Sequence, residues 1–110
     1  SELVIDLRGN RGGAGQLAPA LANMLIARPG SLGVMRFRNS QQPQSYPGTG
    51  DQAYSGRLFI LVDEWTGSTA EIFARGMQTN REALVIGTQT AGAVLPSVVT
   101  PLPTGGVLQY

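Results

Sequence analysis

A chain of 110 residues holds one ordinary domain at most, since a second core would leave both short of buried area. Apolar residues make up 42% and charged residues 14%, and eight basic against seven acidic side chains leave a net charge of +1. That balance excludes the basic surplus of a nucleic-acid binder and the apolar-poor, charge-rich composition of a disordered tail. No apolar run approaches the roughly 20 residues of a membrane-spanning helix, and Ser1-Glu2 does not open a signal peptide, so the expectation is a soluble chain.

The missing residue types narrow the chemistry. The sequence has no Cys, no His and no Lys, and every basic residue is Arg. Thiolate nucleophiles, imidazole or thiolate metal sites, Ser–His and Ser–Lys dyads and the P-loop lysine are therefore impossible within these residues. What remains is hydroxyls, carboxylates, Arg and backbone N–H groups, and neither a metal nor a cofactor is expected. The lack of Cys suits an extracytoplasmic protein without disulfides as well as a cytosolic one.

In chain order, Leu3 to Leu7 is an apolar run of strand length that stops at the turn-rich Arg8-Gly9-Asn10-Arg11-Gly12-Gly13. From about Gln16 to Ala27 the residues Leu17, Leu21, Met24 and Leu25 recur at helical spacing, with Pro19 tolerable in the first turn and Pro29-Gly30 closing the element. Gly33 to Arg38 alternates as a second strand, with Val34, Met35 and Phe37 expected inside. Asn39 to Gly56 carries no periodicity and no large aliphatic residue, which predicts an exposed loop, either a linker or an insertion bordering a site. Leu58 to Val62 is the strongest strand and is expected to be buried on both faces. A second helix follows from near Ser68 to Thr79 with the stripe Ala70, Phe73, Ala74, Met77. Ala83 to Ile86 is a further strand ending at Gly87, and the tail breaks into extended pieces around Pro96, Pro101 and Pro103. This alternation argues for an α/β fold.

Two strand-to-helix junctions carry the candidate chemistry. In the first, consecutive glycines ahead of a helix can turn N–H groups outward toward an oxyanion or a phosphate. Gly13-Ala14-Gly15-Gln16-Leu17-Ala18 also fits the dinucleotide pattern G-x-G-x-x-A, although Arg8 to Gly12 separate it from the strand and Arg38 stands where an acid should hold a ribose. A plain glycine-rich connector without ligand is the bland alternative. In the second junction, Ser68 and Glu71 have capping-box spacing, so Ser68 reads either as a helix N-cap or as a nucleophile at a sharp strand-to-helix turn, with the Thr69 N–H beside it. Glu2, Asp51 and Glu82 read as solvated charges and Trp65 as core or rim.

Taken in order, Val4-Ile5-Asp6-Leu7-Arg8-Gly9-Asn10-Arg11-Gly12-Gly13, Leu61-Val62-Asp63-Glu64, Gly67-Ser68-Thr69-Ala70-Glu71-Ile72, Gly76-Met77-Gln78, Val85-Ile86-Gly87 and Thr90-Ala91-Gly92 closely resemble the C-terminal processing, or tail-specific, serine peptidases. That family also includes the tricorn core and the retinoid-binding interphotoreceptor repeats. The resemblance spans nearly all of residues 3–110 outside the 39–56 segment. It implies a ClpP/crotonase-like core, a spiral of ββα units, of which this chain would be a partial domain. It further implies Ser68 as nucleophile, the N–H groups of Thr69 and of Gly12 or Gly13 as oxyanion donors, and Glu71 as the signature acid. The implied substrate is a peptide or protein C-terminus, in a periplasmic or otherwise extracytoplasmic compartment.

The sequence departs from the family at the general base. The processing peptidases place a lysine in a T-x-G-K segment after the serine, with a glutamine shortly beyond it, and the aligned positions here are Ala93 and Ser97. Tricorn-type members instead use a histidine from an upstream subdomain and a downstream glutamate. The expectation is thus a piece of a serine endopeptidase whose base comes from outside these residues, and which is inactive alone. The alternatives are a non-catalytic member that binds a peptide or apolar ligand in the same cleft, and a nucleotide-binding module on the Gly13–Ala18 loop.

Overall fold

The computed structural model describes residues 1–110. A three-stranded parallel sheet forms the centre, in the order β1 (Glu2–Asp6), β4 (Arg57–Val62), β5 (Leu84–Gly87). Leu3 stands opposite Leu58 and Asp6 opposite Leu61, while Phe59 faces Leu84 and Val62 faces Gly87. Two helices, α1 (Leu17–Leu25) and α2 (Thr69–Arg81), and an antiparallel hairpin, β2 (Gly30–Phe37) with β3 (Ser40–Tyr46), pack around it. A second hairpin, β6 (Val99–Pro101) with β7 (Val107–Gln109), ends the chain.

The core follows the helical period where the period is strongest. Ala70, Phe73, Ala74 and Met77 of α2 are all buried, as their spacing predicts, and they meet Leu58, Ile60 and Val62 of β4 in one cluster. Strand β4 is buried on that face only, because Phe59 and Leu61 are merely half-covered on the other; the expected two-sided burial is corrected accordingly.

Three further expectations change. In α1 the buried face is Ala18, Ala22 and Leu25, while Leu17 and Met24 are each 63% exposed. Small side chains let α1 approach its neighbours closely, so the larger leucines turn outward. In β2 only Leu32 is buried; Val34 and Phe37 stay half-exposed and Met35 is half-buried, because the far half of the strand borders an open groove beside α2 instead of packing into the core. The packing of Leu32 on α2 requires Gly76, where a β-carbon would overlap the Leu32 side chain. The 39–56 segment is not a loop throughout: Ser40–Tyr46 is a strand and Gly50–Gln52 a 3-10 turn, with Tyr46 4% exposed. Its Gln and Ser residues adopt strand geometry because β2 supplies a pairing partner, and Pro43 is tolerated because β3 is an edge.

Candidate active site

Because β1 and β4 are parallel neighbours, the loops leaving them emerge together at the carboxyl edge of the sheet, where α/β folds collect ligand sites. Hydrogen bonds lash the two loops to each other. Thr66, fully buried, donates its hydroxyl to the Leu7 carbonyl at 2.8 Å and accepts the Asp63 N–H at 3.0 Å. The Asp63 carboxylate accepts the Gly9 N–H at 2.9 Å, and the N–H groups of Trp65 and Thr66 at 3.0 Å each. The bond from Gly9, with those from Trp65 and Thr66, holds the Asp63 carboxyl below the usual carboxylate range despite partial desolvation. Further along, the Gly67 N–H donates to the Asn10 carbonyl at 2.9 Å, and the Thr69 hydroxyl to the Gly13 carbonyl at 2.9 Å. Neither Asp63 as a clamp nor Thr66 as a buried bridge is evident from the sequence; its only trace is the Asx-turn spacing of Asp63 and Thr66.

This lashing sets Gly12 directly against the turn that carries Ser68. A β-carbon at Gly12 would stand 2.6 Å from the Ser68 Cβ, 2.7 Å from the Gly67 carbonyl oxygen and 3.0 Å from the Thr69 nitrogen. Glycine also supplies the φ of +90° that the turn requires. The two junctions therefore share one cleft.

Ser68 stands immediately before α2 with φ 53° and ψ −123°, a conformation that a residue with a β-carbon adopts only under strain. Its hydroxyl makes no capping hydrogen bond, and the Glu71 N–H goes to the Ser68 backbone carbonyl at 2.9 Å. The expected capping box is present: the Glu71 N–H faces the Ser68 side chain while bonding to the Ser68 backbone carbonyl, and the Glu71 carboxylate accepts the Ser68 N–H at 2.8 Å. Nearby amides differ in availability. The Gly12 N–H already donates to the Asn10 side-chain oxygen at 2.9 Å, whereas those of Gly13 and Thr69 donate to no protein acceptor.

Glu71 is buried and takes three further bonds, from the Thr90 hydroxyl at 2.6 Å, the Gly92 N–H at 2.7 Å and the Ala93 N–H at 2.9 Å. Burial pushes its carboxyl upward, but these donors together with the Ser68 N–H outweigh it and hold the group below its ordinary value. Glu71 thus binds the 90–93 segment to the start of α2.

Two concavities adjoin these residues. A pocket of about 150 Å³ opens beside Gly13 and Thr69 and is walled by Leu7, Leu17, Leu21 and Phe73. A groove of about 640 Å³ lies between β2, α2 and residues 94–96, with Leu32, Phe37, Ile72 and Leu95 in its walls. The Gly13–Ala18 stretch does not form a tight phosphate turn, since α1 begins only at Leu17, well beyond the end of β1. No group of three or more acidic, His or Cys side chains is placed to hold a metal.

The profile described as Peptidase family S41 matches residues 1–110. The chain is 36% identical over 92 residues to the tail-specific protease of Haemophilus influenzae, covering 82% of this chain and 13% of that protein. It is 30% identical over 102 residues to the carboxyl-terminal-processing protease of Synechocystis, covering 93% and 23%. The photosystem II D1 C-terminal processing protease superposes with a TM-score of 0.81 at 27% identity, over 98% of this chain and 28% of that one. The tricorn protease shares the fold, with a TM-score of 0.64 at 22% identity over 98% of this chain and 10% of that one. The chain thus spans less than a quarter of the length of these curated relatives.

Proposed function

The chain belongs to peptidase family S41, and we propose that it carries the nucleophile and the oxyanion-binding amides of a serine endopeptidase of the C-terminal-processing type. The observation that carries this reading is Ser68 itself: a strained backbone at the head of a helix, a hydroxyl spared from capping, and two unpaired amides beside it. Observed strain of this kind concentrates at functional turns. The Ser68 Oγ attacks the scissile carbonyl, and the Thr69 and Gly13 amides take the oxyanion; the Gly12 amide is already engaged by Asn10. Removing one such donor costs about 10²–10³ in rate. Glu71 acts as a positioning residue that fixes the Ser68 N–H and the 90–93 segment. The small apolar pocket beside Gly13 receives a substrate side chain, and the surrounding architecture is a portion of a ClpP/crotonase-like ββα spiral.

The proton of Ser68 goes to a base outside these residues, because the sequence contains neither Lys nor His and position 93 is Ala. The same alanine favours a second reading, a family member that binds a peptide or apolar ligand without cutting it, for which the 640 Å³ groove offers room. Incubation with an unstructured peptide decides between them. The 110 residues alone should leave it intact, and a longer protein that contains them should cleave it and lose cleavage in Ser68→Ala. Cleavage by the 110 residues that vanished in Ser68→Ala would place the base inside the chain. A longer protein that binds the peptide and never cuts it would establish the binding reading.

A further inference from the structure

The lip of the cleft holds a cation that nothing in the protein neutralises. Arg11 lies in the glycine loop next to Gly12, and Trp65 lies three residues before Ser68 in the facing turn. The Arg11 guanidinium carbon sits 4.9 Å from the centre of the Trp65 ring. The backbones beneath them are in contact, since a β-carbon at Gly67 would stand 3.4 Å from the Arg11 carbonyl oxygen. A guanidinium stacked by its face on an aromatic ring keeps its in-plane N–H fork free, and that fork matches the two oxygens of a carboxylate. Arg11 makes no side-chain hydrogen bond and no salt bridge, and neither acid of the facing turn, Asp63 or Glu64, pairs with it. Asp63 is bound to backbone amides, and Glu64 accepts the Thr88 hydroxyl at 3.4 Å. Trp65, 54% exposed, contributes no wall to the apolar pocket beside Gly13, and neither does Arg11.

We propose that Arg11, held in place by Trp65, is a specificity-determining residue that binds a carboxylate of the substrate peptide on the leaving-group side of the scissile bond. The inference rests on the peptidase reading for its direction along the peptide: with the side chain before the bond in the pocket beside Gly13, the residues after the bond lead away from that pocket, and Arg11 and Trp65 stand in the two adjoining loops without lining it. The carboxylate is either an acidic side chain or the free C-terminus.

Trp65 is the sole tryptophan, so its emission reports directly on this pair. The full chain is titrated with four versions of one short alanine- and valine-containing peptide: the free acid, its C-terminal amide, the amide with a terminal Glu, and the amide with a terminal Lys. The peptides bearing a carboxylate should bind roughly 5-fold more tightly than the neutral amide, a preference weakened by salt. Tight binding of the free acid alone identifies the C-terminus as the ligand, and tight binding of both identifies any nearby carboxylate. Arg11→Gln should remove the preference, Arg11→Glu should transfer it to the Lys peptide, and Arg11→Lys, a check against misfolding, should keep part of it. Equal binding of acid and amide, absence of binding by all four, or an undiminished preference in folded Arg11→Gln overturns the proposal. The titration reads binding and requires no cleavage. The carboxylate preference can therefore stand even if no longer protein ever cleaves a peptide, and can fail while cleavage succeeds.

Discussion

At Ser68 the conformation φ 53°, ψ −123° costs on the order of 1–3 kcal/mol in a residue with a β-carbon, and no capping bond from its hydroxyl repays that cost. Ser68→Gly should therefore raise unfolding stability by about 1 kcal/mol, the relief of strain exceeding the extra freedom of glycine in the unfolded chain. Chemical denaturation measures this, and a clear loss of stability would show that the serine side chain supports the fold. Gly12 has the opposite sensitivity. Gly12→Ala combines a φ of +90° with overlap against Ser68 and Gly67, so it should cost about 2 kcal/mol or more and shift the Ser68 turn. An alanine variant as stable as the parent would mean that the two loops can part without cost. At this scale the sequence already pointed to the site, because the glycine loop and Ser68 both follow strands and precede helices. It could not show which glycine amide is free, since that depends on the Asn10 side chain reaching the Gly12 N–H.

Among the elements, α2 and the 90–93 segment are joined by one carboxylate. The folded pKa of Glu71 is depressed below its ordinary 4.5, so the bonds it accepts contribute stability that is fully present above that value and is lost as the pH falls through the depressed one. Amide protection at Gly92 and Ala93 should thus be constant toward neutral pH and should collapse on acidification below about the ordinary carboxylate value. Glu71→Gln should show the collapsed state at neutral pH, and protection that ignored both acid and the substitution would show that the segment is held by something else. The legibility of the elements follows their physics. The stripe of α2 was readable because its face buries Phe73 and Met77 beside two alanines. The phase of α1 was not, because Ala18 and Ala22 face inward while Leu17 and Leu21 remain outside beside the pocket. Strand β3 left no trace in residues 40–46, whose strand geometry comes from pairing with β2 rather than from propensity.

The molecule as a whole is drawn out, with extents of 54 × 30 × 22 Å and a radius of gyration of 15.5 Å, against about 13 Å for a compact chain of this length. Its stability is concentrated accordingly. The buried cluster joins β4, α1, α2 and Leu32 of β2, whereas every residue from 91 to 110 is exposed, including Val99, Val107 and Tyr110. The hairpin of β6 and β7 is held by its own ladder and by the paired bonds between Val98 and Tyr110, at 2.8 and 3.0 Å. A two-stranded hairpin with no buried face is marginal in water, so its amides should exchange through local opening while those of β4 and α2 exchange only on global unfolding. Native-state hydrogen exchange should accordingly give protection at Thr100 and Leu108 lower by at least about 100-fold than at Ile60 or Met77, both wholly buried. Denaturant should leave the hairpin amides nearly unaffected, because opening it uncovers little apolar surface, and should accelerate exchange in β4 steeply. Equal protection and equal denaturant dependence in the two regions would mean that the hairpin folds as one cooperative unit with the sheet, and that the surface it exposes is tied to the core by contacts stronger than its ladder.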